Sequence, residues 1–268
     1  MTVLHRPPRI MMTVAVLLVL AGLAGAAPFP KSAKFAAMAK ARNAPVSPQA
    51  LRILNRVCEV LSSAKSLSYH AEINFDSALP SDVKLQFAAA MDVALQRPDR
   101  LAVSYASDLG GKRVWYDGKS LTVLDPAHLT YATVAAPPSI DEMLEKFAQR
   151  NNMSIPLEGF DFSHPCARIQ GNLIHGTYVG VGDVDGVDCD HLAFMQKSVD
   201  WQIWVDREKR PLPRKVVITY TLLPMAPQFS AVLSKWNFDP KFPADFFEPQ
   251  IPKQALRIKF IDFKEKRK

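Results

Sequence analysis

The most reactive grouping in the sequence is Asp188-Cys189-Asp190-His191. A thiol and an imidazole two residues apart could act as nucleophile and base, and the flanking carboxylates could add metal ligands. The spacing argues against both uses. On a strand, Cys189 and His191 project from one face while Asp188 and Asp190 project from the other, so at most two ligands converge locally. A strand next to a turn, with one buried cysteine, is the expected structure here. His128, His164 and His175 are scattered among loops without ligand spacing. Asp141, Glu142 and Glu145 fall on one solvated helix face rather than forming an acid/base pair. Gly110-Gly111 and Gly180-x-Gly182 mark turns, and neither opens a helix after a strand as a nucleotide-binding loop does. The expectation is a non-catalytic protein with no metal site and no cofactor.

The other chemically distinctive residues are large and apolar. Phe75, Phe87, Met91, Leu101, Val103, Tyr105, Tyr116, Phe194, Trp201 and Trp204 are spread over the β-patterned part of the chain. They either fill a core or line a cavity for an apolar ligand, and strand parity alone does not separate the two. The three cysteines, Cys58, Cys166 and Cys189, allow one disulfide with one thiol left over. Cys166 with Cys189 is the favoured pair, because both fall in or beside the β region. Cys58 lies on a helix's apolar stripe and reads as a small buried hydrophobe.

The elements that must carry these residues can be read from periodicity. Ser47-Pro48 supplies an N-cap followed by proline at the first helical position. Leu51, Leu54, Cys58 and Leu61 then recur at helical spacing, predicting an amphipathic helix over 48–64. From Tyr69 the period changes to two. Tyr69, Ala71, Ile73 and Phe75 alternate with polar residues, as do Leu85 to Leu95 and then Leu101, Val103 and Tyr105. Val114 to Val123 reads as a hairpin about Asp117-Gly118. Ser139 with Glu142 is a capping box ahead of the stripe Ile140, Met143, Leu144 and Phe147. A short helix or turn follows Ser163, and strands resume from Thr177 to Phe238. The pattern predicts an α+β, mostly antiparallel protein of about ten strands, and so many twisted strands tend to curl. A curled sheet with helices over its concave side is a container.

The ends of the chain bear on location. His5, Arg6 and Arg9 precede an apolar run from Ile10 to Leu23, and Ala24-Gly25-Ala26 fits a signal-peptidase site. Residues 1–26 therefore read as a cleavable signal peptide, with an uncleaved anchor as the alternative. Residues 27–46 read as a linker, 47–250 as the β domain, and 251–268 as a basic tail. The formal charge of +7 resides in these ends, and the body between them is net negative. A nucleic-acid groove needs a basic face on the folded body, so nucleic acid is not an expected partner. Weak peripheral contact of the basic ends with anionic lipid is the more natural consequence.

Several short motifs carry a resemblance. Arg97-Pro98-Asp99-Arg100-Leu101, Trp115-Tyr116-Asp117-Gly118-Lys119 and Leu124-Asp125-Pro126 resemble a run found in the LolA/LolB-like lipoprotein-localisation superfamily. Trp201 to Asp206, followed by Leu212-Pro213-Arg214-Lys215, is similar to that superfamily's strand-turn-strand motif. More closely, the stretch from about Pro48 to Pro249, with Gly176 to Gly180 and Asp188 to Phe194, is similar to a family of predicted periplasmic proteins of unknown function within it. The resemblance implies an unclosed β-barrel of about eleven strands with helices over its mouth. It further implies a periplasmic binding or carrier protein for lipid or lipoprotein acyl chains in a Gram-negative cell, with a lipoprotein or envelope protein as a further partner. An envelope scaffold with the same fold and a filled cavity is the alternative.

Overall fold

The structure, a computed structural model, describes residues 46–78, 83–151, 157–208 and 210–260. The expected signal peptide and nearly all of the expected linker lie outside these residues.

Helix α1 (Pro48–Ser63) starts as its sequence predicts, with the Ser47 side chain accepting from the Ala50 amide. Its buried stripe is Ala50, Ile53, Leu54, Val57, Cys58 and Leu61, whereas Leu51 is only half-buried. Six strands follow as a meander: β1 (Ser66–Ala78), β2 (Lys84–Gln96), β3 (Arg100–Ser107), β4 (Gly110–Tyr116), β5 (Ser120–Asp125) and β6 (Thr130–Ala135). The chain then forms three helices: α2 (Ile140–Asn151), α3 (Glu158–Asp161) and α4 (Pro165–Gln170). It restarts at the far edge of the same sheet with β7 (His175–Val184), β8 (Val187–Met195), β9 (Val199–Asp206) and β10 (Pro213–Tyr220). Strand β11 (Gln228–Asn237) brings it back beside β1.

The spatial order is β12-β6-β5-β4-β3-β2-β1-β11-β10-β9-β8-β7, a twelve-stranded sheet among the described residues. It is antiparallel except for β12 (Leu256–Arg257), which pairs parallel with β6. The two outer strands do not pair with each other, so the sheet is curved and unclosed, as the strand pattern and the resemblance implied. The additional strand falls in the stretch read as a basic tail. Two residues of backbone pairing leave no periodicity to detect.

Each strand's alternation sorts its side chains. Tyr69, Ala71 and Ile73 on β1, Ala89 and Val93 on β2, and Ala231 and Leu233 on β11 are buried on the inner face. One position breaks the rule. Lys235 adopts φ 53°, and the β1–β11 register slips between Ser68 and His70. This bulge brings Trp236 against the Tyr69 ring at 4.7 Å, where strict alternation from Leu233 would have turned it away.

The helices divide the inner face between them. Helix α1 packs on β7 and on α4, the helix that carries Cys166 in its sequence. Helix α2 lies over the β3–β5 wing, its amide at Ile140 donating to Pro98 O and its Ser139 side chain accepting from Glu142 N. Asp141 does not join a solvated face: both its carboxylate oxygens accept from Ser163 N, which ties the end of α3 to α2.

The cysteine pairing differs from expectation. Cys58 is disulfide-bonded, and Cys189 is a free, fully buried thiol. The favoured Cys166–Cys189 bond therefore does not form, and Cys58 is a cross-link rather than a plain hydrophobe. The physical reason is that Cys189 is enclosed on β8, its thiol donating to Val187 O.

Candidate functional site

A chamber of about 550 Å³ lies between α2 and the inner face of β1 to β5, bounded at one end by β10 and β11. Its walls follow from parity. Ile73 and Phe75 come from β1, Met91 and Val93 from β2, Leu101, Val103 and Tyr105 from β3, and Val114, Leu121 and Val123 from β4 and β5. Phe229 and Tyr220 close the β10–β11 side. Met143, Leu144 and Phe147, the apolar stripe of α2, form the roof. Side chains on both surfaces are apolar, and space is left between them.

The floor is polar, and all its buried side-chain nitrogens and oxygens but Arg97 Nε have partners. Asp161 accepts from Tyr69 Oη at 3.1 Å, and burial, reinforced by that carboxylate, pushes the Tyr69 hydroxyl well above its ordinary range. Beside it, Arg97 donates from Nη1 to Ala64 O at 2.6 Å and from Nη2 to Asp161 O and Phe162 O at 3.3 and 3.0 Å. Burial lowers the Arg97 pKa, and Asp161 and Asp141 work in the opposite direction. Three backbone carbonyls, on two segments, are thus held at the base by one guanidinium.

Two of the motifs quoted for the resemblance, Arg97 to Leu101 and Trp115 to Lys119, meet at this same base. Arg100 Nη1 donates to Asp117 O, and Asp117 Oδ1 accepts from the amides of Lys119 and Ser120. Gly118 sits at φ 83°, and a Cβ there would come within 2.7 Å of Asp99 Oδ2, so only glycine fits where the two turns meet. Asp206 and Arg214, in the second motif, form a two-nitrogen ion pair at 2.7–2.9 Å across the β9–β10 turn. These motif residues build turns.

At the other end, Lys112 and Asp125 pair at 2.8 Å, with His128 also on Asp125. Hydrogen bonds from Lys112 and His128 hold the Asp125 carboxyl well below its usual range. The Lys112 side chain is 47% exposed, marking where the chamber meets solvent.

Of the ten residues singled out in the sequence, Phe75, Met91, Leu101, Val103 and Tyr105 line the chamber. Phe87 packs on Phe75, with ring centroids 5.7 Å apart, just outside it. Tyr116 is fully buried at the base, donating to Pro137 O, and burial pushes its pKa up to about 12. Phe194 and Trp201 stack at 4.4 Å on β8 and β9, in the other wing. Trp204 faces the opposite side of the sheet, stacked on His191 at 4.0 Å with Lys215 over its ring. The α2 residues, Phe229 and Tyr220 were not singled out. Their helical stripe and strand parity were visible, but which wing stays open was not.

The Cys189 cluster is taken up in packing. Cys189 and His191 share a face as parity predicts, but His191 lies flat on Trp204 and hydrogen-bonds Gln202. The thiol donates to Val187 O, and burial with Asp206 nearby pushes its pKa up to about 11, away from a reactive thiolate. Among the described residues, no three His, Cys, Asp or Glu side chains converge on a metal position. A larger hollow, about 760 Å³, lies on the opposite face of the sheet beneath the 240–250 segment. His70, Asp92, Arg113 and Lys235 give it charged walls of mixed sign. Among the described residues no helix is long and apolar enough to cross a membrane.

The model of a family described as "Predicted periplasmic protein (DUF2092)" matches residues 50–261. No curated protein matches the chain. Among solved structures, the chain is similar to LprF from Mycobacterium bovis at 13% identity, covering 75% of this chain and 98% of that one, with a TM-score of 0.47. It is similar to the lipoprotein LppX from Mycobacterium tuberculosis at 10% identity, with 73% and 98% covered and a TM-score of 0.43. A LolA superfamily protein from Nitrosomonas europaea matches at 12% identity, with 75% and 97% covered and a TM-score of 0.41.

Proposed function

The chain belongs to the DUF2092 family of predicted periplasmic proteins, and on that footing we propose that it is a non-catalytic carrier or binding protein holding the acyl chains of lipid or lipoprotein beneath α2. The observation that carries this reading is the chamber itself: about 550 Å³ of space between two apolar surfaces that a well-filled core would have closed. Ligand pockets commonly span ~300–1,000 Å³, mostly apolar with a few polar groups at defined places. Here Lys112 stands at the solvent end and Asp161 at the floor, and apolar side chains line the rest.

The energetics suit an acyl ligand. Each buried CH₂ contributes about 0.8 kcal/mol, so a chain of ~16 carbons is stabilised by roughly 12 kcal/mol gross on leaving water. The lining supplies neither a nucleophile nor a base in a position to react. Lys112 is held by Asp125 and Asp161 by Tyr69, which supports holding rather than turnover. A scaffold with a filled cavity is the weaker reading, because the space under α2 is open.

Native mass spectrometry of protein purified from a bacterial envelope is expected to show co-purifying lipid. Hexadecanoate should also displace a fluorescent fatty-acid probe. In the variant Val103→Trp, the larger ring occupies the space of about three methylenes, so hexadecanoate affinity should fall roughly 60-fold. Unchanged affinity in a folded Val103→Trp protein would remove the chamber from consideration as the binding site.

A further inference from the structure

The chamber has one closed end and one open end, and the surface chemistry differs between them. The base is shut by Arg97 on Ala64, Asp161 and Phe162, and by Ile140 N on Pro98 O. The antiparallel register puts Ser77 beside Leu85, Ala89 beside Ser107, and Phe75 beside Phe229. The β1–β2, β3–β4 and β10–β11 turns therefore all lie at the opposite end, next to the wall residues Phe75, Tyr105, Lys112 and Tyr220.

Those turns carry apolar side chains into solvent. Val83, Leu85, Leu109, Leu222, Leu223 and Met225 are exposed, from 38% at Leu85 to 70% at Leu222. Six of the eleven large apolar side chains exposed among the described residues fall in or beside these three turns. From β10 to β4 the rim crosses five strand spacings, about 24 Å. The β10–β11 turn, Thr221 to Pro227, has no charged residue. It is also firmly built: Met225 and Ala226 stand at φ 61° and 43°, and Leu223 N, Ala226 N and Tyr220 N each donate within the turn. Left-handed backbone at two successive non-glycine residues is costly, and such strain gathers where a surface must keep a set shape. Of the nearby acids, Asp76 is matched by Lys84 at 3.1 Å and Asp125 by Lys112 at 2.8 Å, and Asp108 accepts from the Ala88 amide. Along β2, Met91, Phe87 and Leu85 share the inner-face parity, so an apolar track runs from the chamber wall to the rim.

We infer that this rim seats the open end of the chamber on a lipid bilayer, with Leu222 and Leu223 entering the apolar layer. A bilayer fits better than a peptide, because the apolar groups come from three separate turns and offer neither a groove nor a strand edge. The inference rests on the carrier reading for its purpose, though not for its geometry. Acyl chains would then pass between membrane and chamber along the Leu85–Phe87–Met91 track without crossing water.

The test is flotation of the purified protein with vesicles of phosphatidylethanolamine and phosphatidylglycerol, alongside hexadecanoate binding in solution. The wild type should float with vesicles in both low and high salt, because apolar insertion is not screened. Leu222→Asp/Leu223→Asp should bind vesicles at least about tenfold more weakly, since each leucine transferred from water is worth on that order in partitioning. Both side chains are exposed, so hexadecanoate binding should be unchanged. Equal flotation of variant and wild type would overturn the inference. So would flotation lost in high salt, which would assign the contact to the basic ends. A vesicle-free dimer that the aspartates dissociate would give the rim to a second copy instead. Rim-dependent flotation without hexadecanoate binding would support the rim and count against the carrier reading alone.

Discussion

Replacing Arg97 by methionine should destabilise the protein by about 3 kcal/mol, because one guanidinium ties three backbone carbonyls, on two separate segments, to the end of β2. It donates to Ala64 O after α1, to Asp161 O at the end of α3 and to Phe162 O beyond it, at 2.6, 3.3 and 3.0 Å. Hydrogen bonds from a charged donor contribute about 1.5–3 kcal/mol each, and losing one partner from a buried charged site costs roughly 3–5 kcal/mol. The lower part of that range is expected, because burial already disfavours the charge and Arg97 Nε has no hydrogen-bond partner. Methionine keeps much of the aliphatic volume, so the loss reports the head group. With a urea dependence of about 1–3 kcal/mol per molar, the unfolding midpoint should fall by roughly 1 M or more. Arg97→Lys should recover only part of this, since one ammonium cannot reach all three carbonyls. Arg100→Met serves as the control: its guanidinium makes one such bond, to Asp117 O, and should cost about 1 kcal/mol. A midpoint for Arg97→Met indistinguishable from the Arg100→Met control would refute the idea that the base is pinned through Arg97.

Two further outcomes follow from the same coordinates. His70 lies between Glu72 at 2.8 Å and Asp92 at 2.7 Å; these hydrogen bonds, Glu72 first, raise its pKa above 6.5 against partial burial and Lys235. The imidazolium's contribution is thus complete below about pH 6.5 and is lost as pH rises through the raised value. His70→Gln should flatten the fall in thermal midpoint over that window, and an unchanged pH profile would exclude the cluster as its source. Cys58→Ser should lower stability by about 2–4 kcal/mol and abolish the effect of reductant on urea unfolding. Cys189→Ser should leave the reductant effect in place, because that thiol is free.

Much of the architecture is local and was legible. The Ser47-Pro48 start of α1, the Ser139–Glu142 capping pair and the Asp117-Gly118 turn each depend on a few neighbouring residues, and each appears where the sequence puts it. The alternation on β2 likewise assigns Met91 and Val93 inward without tertiary information. Legibility ended where distant segments meet. The packing of α4 on α1 joins distant stretches of chain, and β12 depends on a short return to β6. Trp236 turns inward only because of the bulge at Lys235, which alternation cannot anticipate. For the site, parity nominated Phe75, Met91, Leu101, Val103 and Tyr105, but also Phe194 and Trp201, which obey the same rule in the other wing.

By itself, then, the sequence determined the two-residue and three-to-four-residue periods, and with them the strands, helices, turns and the face each side chain takes. Those periods express backbone geometry, which each stretch of chain carries alone. Tertiary structure decided that β7 to β11 return beside β1, which wing α1 covers, and that α2 stands off the β3–β5 wing. Whether two apolar surfaces touch depends on how helices and sheet are held apart at their ends. Here that falls to Arg97, Asp161 and the turns at the base, contacts between residues far apart in the chain.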